Sequence, residues 1–187
     1  MVKLPALVIT ALLFALPAFA QTSWRFDRSA TEISFVSHRF GAVVATGRFV
    51  RYEGTLALDF DYPEKSRIRV TLDTGSIEAG SSLMDGFIAG ASMLDSARYP
   101  TASFTSESVT RTGERSLEIR GRLTIRSISQ PFTVTAVVDG DIDKARRGDA
   151  LPFHASGSFL RPAFEIGRDV NIVDDRVEIA IKGRLSR

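Results

Sequence analysis

Residues 117–138 read LEIRGRLTIRSISQPFTVTAVV, and their alternation decides the fold class. Leu117, Ile119, Gly121, Leu123 and Ile125 share one parity, while Glu118, Arg120, Arg122, Thr124 and Arg126 share the other. A period of two with one oily and one charged row is the mark of a half-buried strand. A turn is expected over 127–131, after which Phe132, Val134, Ala136 and Val138 begin a second apolar row. A hairpin of this kind buries one face against something, either other side chains or a carried guest.

The same period runs outward along the chain. Strands are expected over 31–40, 43–52, 55–60, 67–73, 101–111, 117–126, 132–138, 152–164 and 176–185. They do not alternate with helices, which argues against a parallel α/β sheet. The expected class is all-β, a sandwich or an up-and-down barrel of about eight strands. One segment departs from it. In 75–99, Leu83, Met84, Phe87, Ile88, Met93 and Leu94 have helical spacing, Ser82 and Asp85 have capping-box spacing, and Pro100 ends the run. Gly86 and Gly90 weaken such a helix, so the insertion should be short or broken. The stretch 141–150, DIDKARRGDA, reads as a charged loop.

At the N-terminus a basic start, an uncharged apolar run and Ala18-Phe19-Ala20 have the anatomy of a cleavable secretory signal. The apolar run is too short for a membrane span of ~20 residues. The expected organisation is a signal peptide over 1–20 and one domain over 21–187. No stable membrane span is expected after processing, and the expected location is the periplasm. There is no cysteine, so the domain does not depend on disulfides and thiol catalysis is excluded. With 24 basic and 22 acidic residues the charge is nearly balanced, which gives no case for a nucleic-acid partner. Arg120, Arg122 and Arg126 belong to the outer parity of a strand and read as a solvated face.

Chemistry-bearing patterns are scarce. His38 and His154 are far apart and neither has a second ligand at metal spacing. Asp141 and Asp143 begin like a calcium loop, but Ala145 and Arg146 occupy positions where a ligand and the turn glycine belong. The expectation is no catalytic residue, no metal and no cofactor. Apolar side chains are abundant, with 13 phenylalanines spread over nearly every strand. A barrel of this size is either filled by its own side chains or holds one ligand. Gly121, Ala136 and Gly183 on the apolar rows lean towards a hollow, although such residues also mark bends.

A series of short motifs then carries a resemblance. They are Trp24-Arg25-Phe26-Asp27, Ile33-Ser34-Phe35 with His38, Gly47-Arg48-Phe49 and Tyr52-Glu53-Gly54. Leu72-Asp73-Thr74-Gly75-Ser76-Ile77 follows, then Tyr99-Pro100-Thr101-Ala102-Ser103-Phe104, Gly121-Arg122-Leu123-Thr124-Ile125-Arg126 and Gln130-Pro131-Phe132. In order and spacing, from Trp24 to about Leu185, the chain resembles the YceI-like family of exported lipid-binding proteins. The resemblance implies an all-β fold, an antiparallel lipocalin-like β-barrel of about eight strands with a short helical insertion, and a long hydrophobic pocket for a polyisoprenoid, an isoprenoid quinone or a related lipid. It brings no metal and no catalytic residue.

The pocket residues expected on this basis are Phe35, Phe49, Val70, Leu72, Phe104, Ile119, Leu123, Ile125, Phe132, Val134 and Ile179 from the strands. Leu83, Phe87 and Leu94 join them from the insertion, and Phe164 from the C-terminal region. Against the family pattern, Met84-Asp85 and Phe87-Ile88-Ala89 replace an Arg-Asp pair and a His-Leu-Arg run, so the insertion should touch a tail more than a headgroup. Glu165 follows the Arg161-Pro162-Ala163-Phe164 motif where the family has glycine. The expected partner is a lipid or other hydrophobic small molecule, with a homodimer left open. The alternative function is a partner-binding or stress-protective barrel with a filled core. An enzyme on the same barrel would need a titratable pair at the pocket mouth, and no such pair is evident.

Overall fold

The structure is a computed structural model that describes residues 22–187; the expected signal peptide over 1–20 lies outside the described residues. The strands are β1 (Thr22–Phe26), β2 (Glu32–Arg39), β3 (Ala42–Phe49), β4 (Tyr52–Leu58), β5 (Arg67–Asp73), β6 (Ile77–Glu78), β7 (Thr101–Arg111), β8 (Ser116–Ile125), β9 (Ile128–Val138), β10 (Leu151–Leu160) and β11 (Arg176–Ser186). Two short helices, α1 (Ser82–Ala89) and α2 (Ile142–Arg146), complete the regular elements with three 3-10 turns.

All pairings are antiparallel. β1, β4, β5, β7, β8, β9, β10 and β11 close into a ring of eight through the pairing of β1 with β11. β11 has two successive neighbours on that edge: β1 at Leu185 and Ser186, then β2 along residues 177–182. β3 continues the sheet from β2 and β6 covers its end. Closure leaves most strands without the free edges that invite aggregation.

The parity of the rows holds. Ile119, Gly121, Leu123 and Ile125 are buried while Arg120 and Arg122 are exposed. The turn, however, is tighter than expected. Arg126 and Ser127 both have positive φ, 51° and 64°, and Ile125 faces Ile128 across a two-residue connection. Such a turn matches strand twist but is usually signalled by Asn-Gly or Asp-Gly, so this pair gives no sequence cue. Residues 128–131 therefore join β9. Pro131 is tolerated there because β9 pairs with β10 only from Thr135 onward.

Other expectations change, among them the strand expected over 152–164, which ends at Leu160 before a 3-10 turn over Arg161–Phe164. β1 is a strand, although only its role as the opening of the domain was evident. The 141–150 stretch holds a helix: the Asp141 carboxylate accepts from the Asp143 and Lys144 backbone N–H groups at 2.9 and 3.0 Å, which seeds α2 and buries Ala145. α1 is capped by Ser81, whose hydroxyl accepts from Met84 N–H, and the Asp85 carboxylate accepts from Ala79 N–H. The cap thus sits one residue earlier than the Ser82–Asp85 spacing suggested.

Candidate functional site: an apolar cavity in one half of the barrel

The barrel interior is divided across its strands. Along β5, Ile68 is packed in the core while Val70 and Leu72 face a cavity; along β8, Ile119 is packed and Leu123 and Ile125 face it. Along β10 and β11, Phe153 and Leu185 are packed while Ala155, Ile179 and Ile181 line the space. The packed half is built around Trp24, Val109 and Leu151, with the Trp24 and Phe60 rings edge to face at 5.5 Å. α2 belongs to this half through buried Ala145 and the Arg146–Asp61 pair at 2.7 Å.

Phenylalanine rings laid against glycines of neighbouring strands stand in the wall of the hollow half. A side-chain carbon at Gly121 would come within 2.9 Å of the Phe104 ring, and one at Gly157 within 2.6 Å of the Phe132 ring. The Phe104 and Phe132 rings meet edge to face at 5.9 Å. Gly121 therefore makes room for a ring and opens no hollow, and Gly183 likewise receives Thr31. This corrects the inference from small residues on the apolar rows: the space comes from where the large side chains stop.

The cavity has a volume of about 230 Å³. Of the fifteen expected residues, Phe35, Phe49, Val70, Leu72, Phe87, Leu94, Phe104, Leu123, Ile125, Phe132, Val134 and Ile179 stand in its wall. Three do not. Ile119 has the right parity but lies in the packed half. Phe164 is packed edge to face on Phe159 at 5.3 Å, behind the wall. Leu83 is 84% exposed, one helical turn beyond Phe87.

A cover closes over the hollow half. α1 contributes Met84, Phe87 and Ile88, Met93 and Leu94 follow, and the 165–175 loop adds Ile166, Val170, Ile172 and Val173. Their irregular spacing in that loop offers no sequence signal, whereas Val177 and Ile181 share the readable parity of Ile179.

The cover is held by two arginines. Arg161 is 5% exposed and serves the loop carbonyls. Its Nε donates to Asp174 O at 3.2 Å, its Nη1 to Ile166 O at 3.2 Å and to Gly167 O, and its Nη2 to Val170 O at 2.6 Å and Val173 O at 3.3 Å. Asp175 balances its charge at 3.1 Å. A guanidinium has five N–H donors, so Arg161 is committed to the loop. Arg126, expected as part of a solvated face, donates instead to Met93 O and Glu165 O and so ties the insertion to the loop. The hydroxyl of Thr74, another polar group in the wall, donates to Tyr99 O at 2.7 Å.

A second, polar groove lies outside Phe49. It holds two ion pairs, Arg28 with Glu53 at 3.8 Å and Arg51 with Asp73 at 2.8 Å. The Arg51 guanidinium hydrogen-bonded to it holds the Asp73 carboxyl below the usual carboxylate range. At the edge of this groove burial pushes the Tyr52 phenol up; its hydroxyl donates to Thr31 O at 2.6 Å. His154 meets Asp139 at 2.8 Å there, as a hydrogen-bonding histidine. Among the described residues no group of three or more His, Asp or Glu is arranged to hold a metal ion. No described helix is long and apolar enough to cross a membrane.

Comparison with known proteins places this geometry. The proteins YceI of Salmonella arizonae and Salmonella heidelberg are each 27% identical over 175 residues, 92% of this chain and 91% of the relative. Among solved structures, Burkholderia cenocepacia BcnA superposes with a TM-score of 0.77 at 23% identity, over 87% of this chain and 99% of that one. A Campylobacter jejuni YCEI protein gives 0.72 at 17% identity, over 80% and 89%. A polyisoprenoid binding domain from Saccharophagus degradans gives 0.66 at 12% identity, over 88% and 97%. The model of the YceI-like domain matches residues 24–185, and the chain belongs to the YceI-like family.

Proposed function

We propose that this protein binds a long-chain isoprenoid, such as a polyisoprenoid or an isoprenoid quinone, or a related lipid, and carries it through the periplasm without transforming it. The observation that carries the proposal is the half-hollow barrel, whose wall is apolar and whose most buried cation, Arg161, is occupied by loop carbonyls. A polar guest would find few free partners there; an aliphatic tail needs none. The structural similarity to a polyisoprenoid binding domain supports the same chemistry. The apolar run and small-residue cleavage pattern of residues 1–20 support export.

Burying ten methylenes at ~0.8 kcal/mol each yields ~8 kcal/mol gross. That corresponds to only about 1 μM before ordering costs. A cavity of about 230 Å³ is also below the roughly 300–1,000 Å³ of ordinary ligand sites. A long tail must therefore displace the cover or leave through the mouth, where Val44, Met84 and Phe87 are in the wall yet open to solvent. Native mass spectrometry of the protein purified from the periplasm, with organic extraction, tests the proposal. A single lipid adduct on a chain beginning at Gln21 is expected. A bare protein that also fails to take up a long-chain isoprenoid alcohol or quinone would leave the filled, partner-binding barrel as the better account.

A further inference from the structure

The mouth of the cavity carries apolar side chains that the fold does not use. Phe40 and Gly41 form the two-residue turn between β2 and β3, with Arg39 paired to Ala42 and φ values of 52° and 82°. Asn-Gly is the ordinary choice for such a turn, and a bulky residue at positive φ is strained. Phe40 is nevertheless there, 88% exposed, with the Arg39 guanidinium 4.4 Å from its ring centre. Leu83 lies one turn from Phe87 on the same face of α1, and Ile172 of the 165–175 loop is 68% exposed although it reaches the cavity wall.

These three elements rim one opening. His38 O accepts from Asp174 N–H at 2.7 Å, which ties the hairpin to the loop, and Ser92 O accepts from Gly167 N–H at 2.8 Å, which ties the insertion to the same loop. Val44, Phe87 and Ile172, one from each element, line the cavity they surround.

We infer that this rim docks on the surface of a lipid bilayer. Phe40, Leu83 and Ile172 enter the interface and set the mouth against the acyl region, so that a tail passes in without crossing water. The purpose of docking rests on the lipid-carrying role proposed above. A bilayer fits better than a second copy of the chain. With Val43, Val44 and Phe87 also open at the mouth, the exposed apolar side chains come from three separate elements and ring the opening of an apolar cavity, which suits insertion into an acyl layer better than the self-complementary patch that a two-fold dimer needs. The attraction is apolar. The charges of these elements are already engaged: Arg168 pairs with Glu165 at 2.5 Å, Asp175 with Arg161 at 3.1 Å, the Asp85 carboxylate accepts from Ala79 N–H, and the Arg39 guanidinium lies over the Phe40 ring. Docking should therefore need no anionic lipid and resist salt.

Flotation with phosphatidylcholine vesicles tests this, using the exported protein and a Phe40→Asn/Leu83→Gln variant. Neither residue lines the cavity, and Asn suits the turn. The wild type should float equally at low and high salt, and the variant's partition should fall at least tenfold while its uptake of a long-chain isoprenoid alcohol in detergent stays within twofold. A wild type that stays in solution, or a variant that floats as well, overturns the inference. So does sedimentation that finds a wild-type dimer and a monomeric variant, since the rim would then join two copies. Flotation by a protein that takes up no lipid would keep the docking surface and remove the carrier role, which separates the two failures.

Discussion

The two halves of the barrel are made by the same strands with the same alternation, yet one is solid and the other hollow. In the solid half Trp24, Val109 and Leu151 are almost completely buried and none of them lines the cavity, and α2 adds Ala145. In the hollow half the rings of Phe104 and Phe132 stop against glycines, and beyond them the opposing side chains do not meet. Closure there falls to α1 and the 165–175 loop, held by Arg161 and Arg126. The difference teaches that alternation sets which side of a strand is dry, while side-chain reach at each level sets whether the dry space is occupied. Stability should reside in one half and exchange of a guest in the other.

The division can be broken most severely from the solid half. Leu151 is fully buried, so Leu151→Ala should cost about 2–5 kcal/mol. Chemical denaturation measures this, and lipid occupancy of the folded fraction should be unchanged. Arg161→Met should cost about 3 kcal/mol by leaving loop carbonyls unpaired in a buried setting. Unlike Leu151→Ala, it should also speed lipid exchange, followed by transfer of a fluorescent fatty alcohol to vesicles. If exchange is unaffected, the 165–175 loop is not a cover.

Phe87→Asp should act in the opposite sense. Phe87 is partly exposed and in the cavity wall, so the delipidated protein should lose less than about 1 kcal/mol. An unpaired charge against a tail costs several kcal/mol, so occupancy should fall more than tenfold by native mass spectrometry. Equal losses of apo stability and binding would make Phe87 a core residue instead. The smallest effect is expected at Glu165, which stands at φ 58°, a backbone conformation that favours glycine. Glu165→Gly should relieve roughly 1–2 kcal/mol of backbone strain, offset by the entropy glycine loses on folding and by loss of the exposed Arg168 pair, roughly 0–1 kcal/mol. Thermal denaturation should show a net change of less than about 1 kcal/mol.

Much of the barrel was legible because period two repeats along every long strand. Depth along a strand was not, because the pattern is the same at every level. Ile119 and Leu123 share parity and neighbours in sequence, yet one is in the solid half and the other in the cavity wall. The Arg126-Ser127 turn was hidden because neither residue belongs to the types that favour positive φ. Leu83 was misplaced because its helical spacing with Phe87 marks a shared face that here continues past the mouth into solvent. Gly121 on an apolar row suits a hollow or a bend equally in the sequence, whereas in the fold its missing side chain admits the Phe104 ring. Arg161 could be seen only as part of a motif. Its role depends on carbonyls from a loop without periodicity, and those come together only in three dimensions.

The hollow half itself can be tested by filling it. Ala155 lines the cavity, whereas Ala145 is fully buried in the solid half. Overpacking a filled core costs roughly 1–3 kcal/mol, and Ala145→Leu should show that loss. The deciding measurement is the denaturation midpoint of delipidated Ala155→Leu, read beside its lipid occupancy. A hollow barrel predicts stability equal to or above that of the delipidated wild type, with occupancy sharply reduced. A loss of roughly 1–3 kcal/mol, as in an overpacked core, would contradict the account.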